Sequence, residues 1–230
     1  MKPDDLTCGH PAATPRRFRA ALAALIAAAG LLAACSAPAP ARYYTLLPAP
    51  SGAGTAEALA STSGTPGFAL QVLPVRVPPA SDLPQLLVRS SDGQVVPQEN
   101  DRWLGPLADE IRSAVVAQLT RELGVPEVSS VAIPPGLPVY RLQIDVTRFG
   151  SARGQYALQE TNWSLRDLST PPSAAGAAPQ AVLLCRGRQV VPAAGTGTAA
   201  LVDGHQQALR QLVRQIETTL KQPPAQWRCA

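Results

Sequence analysis

The sequence predicts an α+β domain, a mostly antiparallel β-sheet with two amphipathic helices packed on one face. Three observations lead there. Several segments alternate apolar and polar residues and are joined by hairpin-length links. Two other segments repeat their apolar residues every three to four positions. The order along the chain is strands, helix, strands, helix, which suits a layered α+β architecture.

The structured part begins at Phe68. Ala69 to Val77 reads as a strand, and Pro74 inside it demands an edge position or a bulge, because proline has no N–H to give to a ladder. Leu86–Ser90 and Gln94–Gln98 read as a hairpin across Ser91-Asp92-Gly93, where the glycine supplies the positive φ such turns need. The period then changes. Leu107, Ile111, Val115 and Leu119 recur every four residues and predict a helix. Pro106 suits its first position, Gly105 its cap, and Gly124 with Pro126 ends it. Asp109 and Glu110 fall in the first turns, where the helix dipole favours negative charge; as neighbours they point apart and cannot form a facing dyad. Glu99 and Asp101 form a second acidic pair just ahead of this helix.

Beyond Pro134, Pro135 and Pro138, Tyr140, Leu142, Ile144 and Val146 alternate with Arg141, Gln143, Asp145 and Thr147, a half-buried strand with one wet face. A turn near Arg153-Gly154 leads to Tyr156–Asp167, with Trp163 and Leu165 on one face. A loop, Thr170 to Gln180, precedes the strand Ala181–Val191. Leu201, Ala208, Leu209, Leu212, Ile216 and Leu220 then form the stripe of a second helix.

Ahead of this domain lies a targeting segment. Arg16, Arg17 and Arg19 precede an apolar run from Ala20 that closes on Leu32-Ala33-Ala34-Cys35. A basic start, an apolar middle and small residues before a cysteine make a lipoprotein-type secretory signal. On this reading residues 1–34 are cleaved and Cys35 becomes a lipidated N-terminus. An ordinary signal with a chance cysteine, or a short membrane anchor, are the alternatives; a spanning helix needs about 17–25 apolar residues. Residues 35–41 then form the lipidated terminus and tether, 42–222 a single domain with a flexible Ala/Gly/Ser/Pro segment at 49–67, and 223–230 a tail. Tyr43-Tyr44-Thr45-Leu46 stands out from its surroundings as aromatic and β-favouring, able to add a strand to the sheet.

The full chain has a formal charge of +4; losing Lys2, Arg16, Arg17 and Arg19 together with Asp4 and Asp5 leaves +2. That charge, with no Lys/Arg run after Arg19, argues against nucleic acid as a partner. Cys185 and Cys229 remain once Cys8 and Cys35 are accounted for. In an oxidising compartment they form a candidate disulfide; the alternative is a buried thiol and a loose one in the tail. The mature chain has one histidine, His205, on the second helix, and nothing at metal-ligand spacing, so no cofactor is expected. There is no G-x-S-x-G elbow and no phosphate-cradling loop with a lysine. A binding or scaffolding role gains from this; a tethered hydrolase using His205 with Ser113 or Ser164 is the competing class, and an assembly factor for another outer-membrane complex is a third. Arg102 and Trp103 sit on a loop leading into the first helix, with Trp103 either folded back on the core or exposed to a partner.

The ordered set of these segments resembles the PqiC-like (YmbA-like) ABC-type transport auxiliary lipoproteins of Pqi/MCE systems. The residues that carry the resemblance are Leu32-Ala33-Ala34-Cys35, Tyr43-Tyr44-Thr45-Leu46, Leu70 to Pro78, Leu87-Val88-Arg89 and Asn100 to Leu107. Tyr140 to Phe149, Trp163 and Leu201 to Leu209 complete it. The stretch 49–67 and the loop 170–180 are longer and richer in Ala and Pro than the pattern requires. The resemblance implies a non-enzymatic subunit, anchored in the outer membrane on its periplasmic face, that docks an MCE-domain (PqiB-like) protein. Ser36, where an aspartate would imply inner-membrane retention, agrees with that destination. A homo-oligomeric ring would suit capping an MCE tube. Tyr43, Tyr44, Arg102 and Trp103 are the candidate partner contacts.

Overall fold

The computed structural model describes residues 39–48, 66–169 and 181–229. The signal segment, Cys35, most of the 49–67 stretch and the expected loop 170–180 lie outside the described residues. The unit Ala41–Ala230 is compact and carries its own core. In chain order its elements are β1 (Arg42–Tyr44), β2 (Ala69–Val72), β3 (Gln85–Arg89), β4 (Val95–Trp103), α1 (Leu107–Leu123), β5 (Val139–Ala152), β6 (Tyr156–Asp167), β7 (Val182–Pro192) and α2 (Thr198–Leu220).

The α+β class holds: the seven strands form one sheet in the order β1-β4-β3-β5-β6-β7, with β2 beside β5. The sheet is mixed rather than uniformly antiparallel. The hairpins β3–β4 and β5–β6 are antiparallel, as their short links require, and β6–β7 is antiparallel across a longer connection, 168–181. β1 joins β4 and β2 joins β5 in parallel, since neither reaches its partner through a hairpin. One apolar cluster unites Ile111, Val115 and Leu119 of α1, Leu209, Leu212 and Ile216 of α2, and Leu142, Ile144, Trp163 and Leu165 of the sheet.

Local chemistry explains the boundaries. β2 stops at Val72, and pairing resumes at Arg76 opposite Asp145, with Pro74 in the extra-residue kink between them. The β3–β4 turn has Gly93 at φ +88°. Pro106 is the N-cap of α1 rather than its first helical residue, and Gly124 closes the helix in the left-handed conformation, its N–H bonded to Thr120 O at 3.0 Å. β4 runs on to Trp103, so the expected loop before α1 is strand, and Trp103 is buried against Phe149 with ring centroids 5.9 Å apart.

A bulge and a pinned C-terminus shape the sites this fold carries. β5 bulges between Val146 and Arg148, adding one residue and reversing its face parity. Leu142, Ile144 and Val146 face the core before the bulge, and Phe149 and Ser151 reach α2 after it. The C-terminal residues, read from sequence as a tail beyond 222, belong to the domain. Trp227 packs edge-on against Tyr140 at 5.0 Å, and Cys229 is disulfide-bonded to Cys185.

Helix α2 crosses β6 closely at Gly204, where a Cβ would stand 2.8 Å from Ala157 Cβ. Gly204→Ala should therefore lower stability by about 1–2 kcal/mol, overpacking exceeding the helix-propensity gain. Adding Ala157→Gly should restore most of that loss in urea unfolding; an unaffected single variant would show that the contact is soft.

Candidate functional site

Three places gather polar chemistry: the point where the chain enters the domain, the His205 cluster, and the sheet face turned away from the helices.

At the chain's entrance, Arg42 Nε donates to Asp101 Oδ1 at 2.6 Å, and Thr198 Oγ1 donates to Asp101 Oδ2 at 2.5 Å. Burial works against the Asp101 carboxylate, but the hydrogen bonds from Arg42 and Thr198 prevail and hold its pKa below the usual value. Glu110 is buried too. It accepts from Thr45 Oγ1 at 2.7 Å and from the Leu46 N–H at 2.9 Å, a tie between α1 and the incoming chain that a reading confined to the helix dipole misses. Gln206 Nε2 adds bonds to the carbonyls of Thr45 and Leu47.

The four candidate partner contacts separate here. Tyr43 pairs in register with Arg102 and Tyr44 with Trp103. Trp103 is in the core and Tyr44 is half-buried against it, so Trp103 is withdrawn from the partner surface. Tyr43 is 60 % exposed, Arg102 is half-exposed, and Leu104 is exposed two residues further along. β1 ends the sheet, and its outer edge has no strand partner among the described residues.

His205 is 0 % exposed. Its ring stacks on Phe149 with centroids 3.9 Å apart, and burial lowers its pKa to about 3, so it is neutral. Nε2 lies 2.8 Å from Ser151 Oγ, and Nδ1 lies 3.2 Å from Gln159 Nε2, which also donates to the His205 carbonyl at 3.0 Å. An amide nitrogen can only donate, so Nδ1 accepts and the ring proton sits on Nε2, assigned from this network, and is given to Ser151. That is the reverse of a base activating a nucleophile, which must accept the hydroxyl proton. Ser113 is exposed on α1, and Ser164 lies on the opposite sheet face, so neither serine of the hydrolase reading meets His205. Among the described residues no group of three His, Cys, Asp or Glu side chains converges as a metal site, and no helix is long and apolar enough to cross a membrane.

The outward sheet face is largely polar, with exposed aliphatic side chains on β7, and holds two shallow pockets. One, of about 430 Å³, is lined by Thr147, Glu160, Asn162, Arg186, Gly187 and Arg188. The other, of about 200 Å³, is lined by Leu73, Arg141, Gln143, Ser164, Arg166 and Val182. Sequence alternation marks a wet face on β5, but register across β5, β6 and β7 is what groups the arginines.

Residues 44–217 match a family model described as the ABC-type transport auxiliary lipoprotein component. No curated protein matches the chain. Among solved structures, that of an uncharacterised protein is similar at a TM-score of 0.57 and 17 % identity, covering 79 % of this chain and 99 % of that one. A Xanthomonas campestris protein aligns at a TM-score of 0.47 and 23 % identity, over 67 % of this chain and 84 % of its own. A candidate lipoprotein of Caulobacter crescentus aligns at 0.32 and 18 %, over 50 % and 84 %. The first of these likenesses shows a shared fold.

Proposed function

We propose that this chain, which belongs to the ABC-type transport auxiliary lipoprotein family, is the outer-membrane-anchored docking subunit of an MCE-type, Pqi-like transport system. Membership of that family makes it a membrane-anchored envelope protein with an auxiliary part in transport. The finer reading assigns the lipid to Cys35, an outer-membrane home to the domain, a non-enzymatic role and an MCE-domain partner.

The observation that carries the docking role is the sheet edge at β1. Tyr43, Arg102 and Leu104 form an exposed aromatic, cationic and apolar group beside unpaired backbone. Such an edge suits strand addition or an aromatic anchor in a partner's pocket. The same edge suits head-to-tail contacts within a homo-oligomeric ring. The segment is rigid because Glu110, Asp101 and Gln206 hold its neighbours, so little ordering cost attends binding.

Pull-down of the lipidated protein should recover an MCE-domain protein, and the pair Tyr43→Ala with Arg102→Glu should reduce recovery about tenfold or more, as loss of an interface anchor does. Unchanged recovery would move the interface elsewhere. Cys35→Ser should release the folded domain from the membrane fraction into the soluble periplasm; retention in the membrane fraction would place the anchor elsewhere.

A further inference from the structure

The outward face of β5, β6 and β7 carries more positive charge than its own carboxylates neutralise. Read across the sheet in register, Arg141 of β5 lies directly opposite Arg166 of β6, which lies opposite Val182 of β7. The next row is Gln143, Ser164 and Leu184, and the row after it Asp145, Asn162 and Arg186. Glu160 and Arg188 follow. The two carboxylates are already engaged: Asp145 by Arg76, and Glu160 by Arg188 at 3.0 Å. Arg141, Arg166 and Arg186 have no carboxylate within ion-pair distance among the described residues. The connection between β6 and β7, 170–180, contains no acidic residue to supply one.

Like charges at directly opposed strand positions are unfavourable. Arg141 is oriented by its Nε bond to Gln71 Oε1 at 2.8 Å, which leaves its terminal nitrogens without a protein partner among the described residues. With Arg166, Gln143 and Ser164 it walls the pocket of about 200 Å³. That volume is below the usual ligand range of about 300–1,000 Å³, so it suits a head group rather than a whole lipid. Guanidinium pairs are the preferred partners of phosphate oxygens. Around the arginines stand large apolar side chains in the open: Leu184 is 72 % exposed and Val182 56 % exposed on the same face of the edge strand β7, with Leu73 on the pocket's far wall. Cations interleaved with exposed aliphatic residues are what an anionic bilayer surface binds, phosphate to arginine and methylenes to the apolar rim.

We propose that this sheet face binds the phosphate head groups of anionic phospholipids at a bilayer surface, with Arg141 and Arg166 holding one phosphate and Val182 and Leu184 entering the head-group layer. The proposal rests on the chain being a lipoprotein, which keeps the domain near a bilayer, and not on the identity of its transport partner.

The test is vesicle flotation with the compact unit 41–230, which lacks the lipid and so reports the face alone. Vesicles of phosphatidylcholine carrying about 30 % phosphatidylglycerol should float the protein at low salt, and pure phosphatidylcholine should not. Arg141→Gln with Arg166→Gln should weaken binding about 30-fold, at the usual contribution per arginine near a surface, and Arg166→Glu alone, at an exposed position, should weaken it comparably. Arg214→Gln, exposed on α2, should change nothing. Equal binding to both vesicle types, or an unaffected Arg141/Arg166 variant with an unchanged melting curve, would overturn the proposal. Full displacement by inorganic phosphate at about 20 mM, too little to screen the surface strongly, would also overturn it in favour of a site for free phosphate. The Arg141/Arg166 variant of the lipidated protein should still capture the MCE-domain partner, which separates failure here from failure of the docking reading.

Discussion

Replacing His205 with alanine should cost about 3–4 kcal/mol of stability without touching any exposed surface. The imidazole fills a site between α2 and the bulged end of β5, stacked on Phe149 and bonded to Ser151 and to Gln159. Removing it opens a cavity, strands the buried Ser151 hydroxyl and takes one of two bonds from the Gln159 amide, which keeps its bond to the backbone carbonyl of residue 205. The same histidine makes the fold sensitive to acid. Its folded pKa is lowered to about 3, whereas an unfolded histidine titrates near 6.5. At pH 7 both states are neutral there and the group is silent. As pH falls below about 6.5 the unfolded chain takes up a proton that the folded chain refuses. Stability then drops by about 1.4 kcal/mol per pH unit until the folded ring protonates, or about 2–3 kcal/mol by pH 4.5. Three carboxylates act at lower pH: Asp101, Glu127, held below its usual value against burial by hydrogen bonds from Ser129 and the Val72 N–H, and Asp145, held down by Arg76. Each loses its contribution as pH falls from about 4 through its lowered value. Urea unfolding of wild type and His205→Ala at pH 7.5 and 4.5 separates the two: the variant should be weaker at neutral pH and lose less on acidification. A wild-type slope that survives the substitution would assign the acid sensitivity to other groups.

Breaking the Cys185–Cys229 bond should cost about 4 kcal/mol, the chain-entropy expectation for a link spanning 44 residues. The crosslink ties the core side of β7 to residues beyond α2. It also seats the last turn, where Trp227 packs on Tyr140 and Thr219 Oγ1 donates to the Arg228 carbonyl. The paired variant Cys185→Ser with Cys229→Ser should unfold at a lower urea midpoint than oxidised wild type, and reductant should move wild type to match it. Coincident midpoints for oxidised and reduced wild type would show that the packing of Trp227 alone holds the end of the chain.

Some of this architecture is legible in the amino-acid order alone. The four-residue recurrence from Leu107 to Leu119 marks α1 because Leu107, Ile111, Val115 and Leu119 form an unbroken aliphatic stripe on its buried face, although Glu110 and Gln118 are buried beside it. The strands of β5 and β6 announce themselves by alternation. What stays hidden is non-local. Nothing near Tyr43 shows that it will run parallel to β4, and Asp101 and Glu110 look like surface acids because their partners Arg42 and Leu46 are 59 and 64 residues away. The bulge after Val146 hides the inward turn of Ser151, so alternation along β5 gives no hint that this serine meets His205. Trp103 sits beside polar residues that suggest a loop, and strand pairing with Tyr44 is what buries it. Arg141, Arg166 and Arg186 each fill an ordinary outward slot in an alternating strand; register alone makes them neighbours.

The bonds at the chain's entrance acquire a second meaning once the domain hangs from a membrane. Any pull along the linker, from a partner shifting or the envelope flexing, arrives first at Arg42. It is passed at once to β4 through Asp101, to α1 through Glu110 and to α2 through Thr198 and Gln206. A three-residue edge strand alone would peel one rung at a time. Spread over both helices and the sheet, the same tug must disturb the whole core to move anything, so the leash can tighten without loosening the body it holds.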